Sequence, residues 1–181
     1  MNKSIKYFAA AVAGLAFAGA TFAAHHNESE KPLVSTVTVK SLEAAAGKIA
    51  DLAGAIPEDK YDWAPMEGVA SVRGVLSHVT GANYFLANML GTAPPEGVDP
   101  ASVTEGADKS KLIAIYQASV AHAKKAIAGV SEEALAEEIS YFGMTNPRAS
   151  LVQVIADHQH EHLGQLIAYA RSNEVVPPWS Q

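Results

Sequence analysis

Cysteine is absent from this 181-residue sequence. No thiolate can act as nucleophile or ligand and no disulfide can brace the fold, so a metal site would need His, Asp or Glu. Basic residues are scarce as well: 13 Lys and Arg stand against 19 Asp and Glu, for a net charge of −6. An acidic chain without a Lys/Arg cluster is a poor partner for nucleic acid or an anionic membrane. Beyond the N-terminus no apolar run is long enough to cross a bilayer. A phosphate-cradling glycine loop, a G-x-S-x-G elbow and paired inward carboxylates are also missing, which leaves nucleophilic serine chemistry and glycoside hydrolysis without support. There is no internal repeat and no low-complexity linker.

The N-terminus has the pattern of an export signal. Lys3 and Lys6 precede a short apolar stretch from Tyr7 to Phe17, and small residues offer cleavage after Ala20 or Ala23. Residues 1–23 are therefore expected to be a signal peptide and 24–32 a disordered polar N-terminus, with the mature protein periplasmic or secreted and free of the membrane. Cleavage after Ala23 leaves 158 residues with a charge of −8. That length suffices for a hydrophobic core without disulfides. The same cleavage would place His26 third behind a free amine, after His25, a geometry that suits Cu(II) or Ni(II).

Four stretches carry helical periodicity. Leu42, Ala45, Ile49, Leu52 and Ile56 share one face, and Pro57 ends it. Ser71 is placed to cap a second helix with the row Val75, His78, Ala82, Phe85 and Met89. After "GTAPPEGVDP" a third helix begins near Lys109, with Ile113, Tyr116, Val120, Ala123 and Ile127 on one face. "SEEALAEEI" reads as a short capped helix, and "ISYFGMTNPRAS" as irregular or a short hairpin. A last helix runs from about Ser150 to Ser172. The expected fold class is all-α: a four-helix bundle over residues 33–181, with a long connection between the second and third helices that permits a crossover.

The histidines carry the chemistry. In "DHQHEHLGQL" the inward row of the last helix is Leu151, Ile155, His158, His162, Gln165 and Tyr169. His158 and His162 are four residues apart, so their rings stack on one face about 6 Å apart. His160 lies about 200° round the helix from His158 and faces away. His78 occupies the corresponding row of the second helix. Three neutral imidazoles with an open fourth position form the donor set of a catalytic zinc or similar divalent site. Histidines on an apolar face also serve as hydrogen-bonded core residues, and spacing alone does not bring the three together. His122 falls beside its helix's best row and reads as a flank residue.

"YDWAPMEGVASVRGVLSHVTGANYFLANMLG", followed far downstream by "HQHEHLGQLIAYARSNEVVPPWS", resembles the DinB-like superfamily, and especially its exported members. The Trp63/Pro65 loop with His78 and the run from His158 to Gln165 are the most specific parts. The resemblance implies a four-helix bundle holding a divalent metal, Zn or Ni, through His78, His158 and His162. In cytoplasmic relatives such a metal serves thiol-dependent transferases and an isomerase. An exported protein would not obviously meet those thiols, so activation of water for a hydrolysis is an alternative use of the ion. A homodimer is a further expectation of the resemblance.

Around the ligand row, Gln165 is positioned to orient a bound molecule or to bond a neighbouring helix. Asp157 and Glu161 flank the row as candidate acceptors or a general base, or as a solvated edge. Gly164 permits close approach of another element, or simply tolerates packing. Trp63 is expected over the bundle end, Trp179 to dock the tail, and Tyr84 and Tyr141 are candidates for a pocket lining. Three functions remain open from sequence: a metal-dependent hydrolase or transferase for a small molecule, a noncatalytic metal- or ligand-binding bundle, and a structural bundle with buried histidines.

Overall fold

Apolar rows at helical spacing can be buried only against one another, and among the described residues four long helices do this. The structure is a computed structural model that describes residues 32–181. The expected signal peptide, the two N-terminal histidines and nearly all of the polar stretch lie outside the described residues. The long helices are α1 (Leu33–Ala55), α2 (Val72–Met89), α3 (Lys109–Ala128) and α5 (Arg148–Ser172). Between α3 and α5 come a short α4 (Glu132–Ala136) and a hairpin of β1 (Glu138–Tyr141) and β2 (Met144–Pro147). Helix α1 packs chiefly on α3 and α5, and α2 on α3 and α5. The bundle cross-section is therefore a square with α1 and α2 at opposite corners.

Side-chain caps mark three helix starts. Ser71 accepts from the Gly74 amide, Asp108 from Lys111 and Ser131 from Ala134, each satisfying an N–H that the first turn leaves free. The α1 row is buried as its periodicity requires: Leu42, Ala45, Ile49, Leu52 and Ile56 are all in the core. The helix begins nine residues before Leu42, because its first turns bury Ser35 and Thr38 and expose Leu33, Val34 and Val37. That inversion of polarity hides the start of the helix from its apolar pattern.

On α2 the core face lies to one side of the expected row. Val72, Val75, Leu76, Val79, Asn83, Leu86 and Ala87 are buried, whereas His78 and Phe85 are exposed and Ala82 is half-buried. The row through His78 and Phe85 borders a cleft. On α3, Leu112 takes the deep position expected of Ile113.

The stretch read as irregular or a short hairpin is an antiparallel hairpin, with Tyr141 opposite Met144 and Glu138 opposite Pro147. Its two-residue turn puts both Phe142 (φ 48°) and Gly143 (φ 76°) at positive φ, the signature of a type I′ turn. The connection between α2 and α3 folds back on α2. At Gly81 the backbone of Pro100 comes so near that a Cβ would sit 2.5 Å from its carbonyl oxygen.

A closed polar ring lies in the core. Gln159 donates to Asn83 Oδ1 at 2.8 Å, Asn83 to Ser119 Oγ at 2.9 Å, and Ser119 to the Tyr116 carbonyl at 2.7 Å. Tyr116 Oη donates back to Gln159 Oε1 at 2.8 Å. All four residues are fully buried, joining α2, α3 and α5. Every buried group in the ring is used, which removes the cost of burying it. It also fixes α5 lengthwise beside α2, one residue from His158.

Candidate functional site

Helix α2 supplies His78, and α5 supplies His158 and His162. Their Nε2 atoms converge. His158 Nε2 is 3.0 Å from His78 Nε2 and 3.0 Å from His162 Nε2, and the three donor atoms lie within 4.8 Å of one another. An ion about 2.1 Å from each of two nitrogens in tetrahedral geometry holds them roughly 3.4 Å apart. His158 would need to part from each of its two neighbours by only a few tenths of an ångström.

A hydrogen-bonded chain fixes the tautomer of His162. The Ala70 carbonyl can only accept, so Tyr169 Oη donates to it at 3.1 Å. Tyr169 Oη in turn accepts from Gln165 Nε2 at 2.8 Å. Gln165 thereby turns Oε1 toward His162 Nδ1, 2.8 Å away. That oxygen only accepts, so His162 carries its proton on Nδ1 and presents a lone pair from Nε2. Trp63 packs edge-on against Tyr169, with centroids 5.3 Å apart, and covers the end of the chain.

The donor set fits a cation. A neutral His158 has at most one proton on Nε2 and cannot hydrogen-bond both neighbours through it. A positive ion accepts all three lone pairs at once. For two of the rings, His158 and His78, burial favours the neutral form that ligation needs. Desolvation lowers the His158 pKa to about 4, with the neighbouring His162 and His78 adding to the effect. His78 is also lowered, first by desolvation and then by His162, against a raising influence from Glu161. His158 Nδ1 is buried with no hydrogen-bond partner.

On one side the triad opens into a cavity of about 690 Å³, to which His78 and His158 contribute wall. The cavity runs between α2, the Pro100–Ala101 segment, the hairpin tip and Val154 of α5. Its volume falls in the range of small-molecule sites, about 300–1,000 Å³.

The sequence-predicted residues fall into two groups. His78, His158, His162 and Gln165 come together, which spacing alone did not require. Asp157 and Glu161 are exposed. Asp157 accepts from Gln153 Nε2 at 2.7 Å, and Glu161 acts on His78 through its charge. His160 turns away and donates to the Ala156 carbonyl at 2.9 Å. His122 donates to the Thr92 carbonyl and packs on Tyr84. Tyr141 bonds Ser150, and neither it nor Tyr84 lines the cavity. Trp179 docks under Lys48 of α1. Sequence reasoning missed the role of Tyr169, though it lay on the inward row, and missed Gln159 and Phe142.

The fold and the triad together define a helical bundle with three histidines able to hold a metal ion. Residues 41–166 match the profile of the DinB superfamily, and the chain belongs to that superfamily. Its fold is similar to that of a DinB-like protein from Bacillus subtilis, at 23% identity and a TM-score of 0.62, covering 80% of this chain and 97% of that one. It is also similar to a conserved protein from Enterococcus faecalis, at 18% identity and a TM-score of 0.64, covering 76% and 95%. No curated protein matches the chain.

Proposed function

We propose that this protein is an exported metal-dependent enzyme, a hydrolase or transferase, that acts on a small molecule at His78, His158 and His162. The observation that carries the reading is the convergence of three Nε2 atoms at the wall of an open cavity. A closed structural site would spend its fourth position on a protein ligand, whereas a catalytic one leaves it open. A divalent ion, Zn or Ni, would supply Lewis acidity there. The protein's own residues do the rest. Gln165 and Tyr169 hold His162 in its ligating tautomer, the polar ring through Gln159 keeps α5 in register, and the apolar cavity walls exclude water from the bound molecule. Export rests on the leader pattern of residues 1–23, and mass spectrometry of the mature chain would locate the cleavage.

Metal content tests the core of this reading. The mature chain lacking His25 and His26 should carry about one equivalent of Zn or Ni by elemental mass spectrometry, as a three-ligand site predicts. The His158→Ala/His162→Ala variant should carry none. Absence of metal from the parent after reconstitution would end the metalloenzyme reading.

A further inference from the structure

The cavity beside the triad has a definite chemical character. Thirteen residues line it, and none is Lys, Arg, Asp or Glu. Apart from the two histidines, its polar side chains are the hydroxyls of Ser77 and Thr104. A charged or multiply polar molecule would lose its hydration there without gaining partners. Two aromatic rings stand at the hairpin side. Phe142 at the turn tip stacks on Phe85 of α2, with centroids 6.3 Å apart and planes 29° from parallel. Both are largely exposed, at 59% and 49%.

Phe142 is a poor residue for its own turn. The first central position of a type I′ turn needs positive φ and favours Asn, Asp or Gly, while a bulky side chain at φ 48° is strained. Strain of this kind persists where a side chain is required for another purpose. Here the ring, half in solvent, forms wall of the cavity.

We propose that the cavity takes a small uncharged molecule with a flat apolar body, which packs against Phe142 and Phe85 and turns its ligating head toward the histidines. The head rests on the metal reading above, and the body does not. A metal-free protein should therefore still recognise the body. Aromatic rings in offset or edge contact with Phe142 gain from both area and ring electrostatics.

A matched pair of fluorescent probes tests this. N-phenyl-1-naphthylamine is neutral, and 8-anilino-1-naphthalenesulfonate is the same skeleton with a sulfonate. Both are titrated into the metal-free mature protein. One neutral molecule should bind per chain, at least ~10-fold tighter than the sulfonate, because the walls offer the anion nothing. Phe142→Asn should weaken the neutral probe at least ~10-fold while leaving the thermal midpoint equal or higher, since Asn suits the turn. 4-Phenylimidazole, a neutral flat molecule, should displace the probe, as one shared apolar site requires.

Equal affinity for the two probes, or an unchanged affinity in Phe142→Asn, would overturn the proposal. So would absent probe binding together with a dimer that Phe142→Asn dissociates, which would assign the two rings to self-association. Probe binding in a protein that takes up no metal would support the cavity proposal and sink the metal reading, so the two fail separately.

Discussion

The carbonyl of Ala70 determines which nitrogen of His162 carries the proton. The two groups do not touch. Tyr169 and Gln165 stand between them, and each bond in the chain is given its direction by the acceptor at the end. Tyr169→Phe removes that direction while keeping the ring that packs on Trp63. Gln165 is then free to turn its amide over and donate to Nδ1, which moves the His162 proton to Nε2 and spoils the ligand. Zinc affinity measured by chelator competition should fall about 10- to 100-fold, the usual effect of losing a partner behind a ligating histidine. An unchanged affinity would show that the chain does not set the tautomer.

The two faces of α5 separate His162 from His160. His162 Nε2 meets His158, and His160 bonds its own helix at Ala156. His162→Ala should abolish most metal binding, and His160→Ala should leave it within about twofold, as expected of a side chain outside the ligand set. Equal losses in the same titration would contradict the face assignment.

The helical rows were readable where apolar side chains fill them without interruption. Four of the five expected positions lie on α1 and the fifth, Ile56, caps its end; all five are buried, since nothing competes with their burial. On α2 the reading slipped by about one position. Small Ala82 and amphipathic His78 made the cleft row look like core, while the true core row contains Asn83. The pair His158 and His162 was legible nonetheless, because its spacing depends only on helix geometry, whereas its meeting with His78 came from the family resemblance. The polar ring was not, because Asn83 and Gln159 are 76 residues apart and look like surface residues. The part played by Phe142 depends on a turn conformation and on the neighbouring helix, neither of which periodicity encodes.

The polar ring should behave as a unit. Asn83→Ala leaves Gln159 Nε2 without its acceptor and Ser119 Oγ without its donor, in a site closed to solvent. Urea unfolding should show a loss of about 1–3 kcal/mol, the cost of stranding buried polar groups. Adding Gln159→Leu and Tyr116→Phe to Asn83→Ala should recover part of it, because Ser119 Oγ, which still donates to the carbonyl of residue 116, is then the one ring group short of a partner.

Alkaline pH should loosen the loop that leads into α2. Tyr61 is buried and donates to the Ala53 carbonyl at 2.6 Å. Desolvation pushes its pKa up to about 12, with Arg73 opposing and Glu58 assisting. Lys109 Nζ also lies 5.6 Å from the ring centroid. The folded pKa is above the unfolded value of about 10. The stabilisation is therefore complete below pH 10 and is lost as pH rises toward 12. The thermal midpoint should decline across that window, and Tyr61→Phe should make the decline shallower. Buried Tyr116, also raised by desolvation, accounts for a remaining slope. An unchanged slope in Tyr61→Phe would remove Tyr61 from the account.

Two helical glycines should respond to alanine with opposite signs. Gly164 has nothing within 4 Å of the Cβ position, whereas at Gly81 the Pro100 carbonyl oxygen would be 2.5 Å away. Gly164→Ala should gain up to about 1 kcal/mol from helix propensity alone. Gly81→Ala makes the same gain but forces the α2–α3 connection off the helix, a backbone displacement that costs roughly 1–3 kcal/mol. Pro100, Ala101 and Thr104 form one wall of the cavity, so that displacement should also weaken the neutral probe, which Gly164→Ala should not do. If Gly81→Ala were as stable as Gly164→Ala and bound the probe normally, the close packing of the connection on α2 would have no bearing on the cavity.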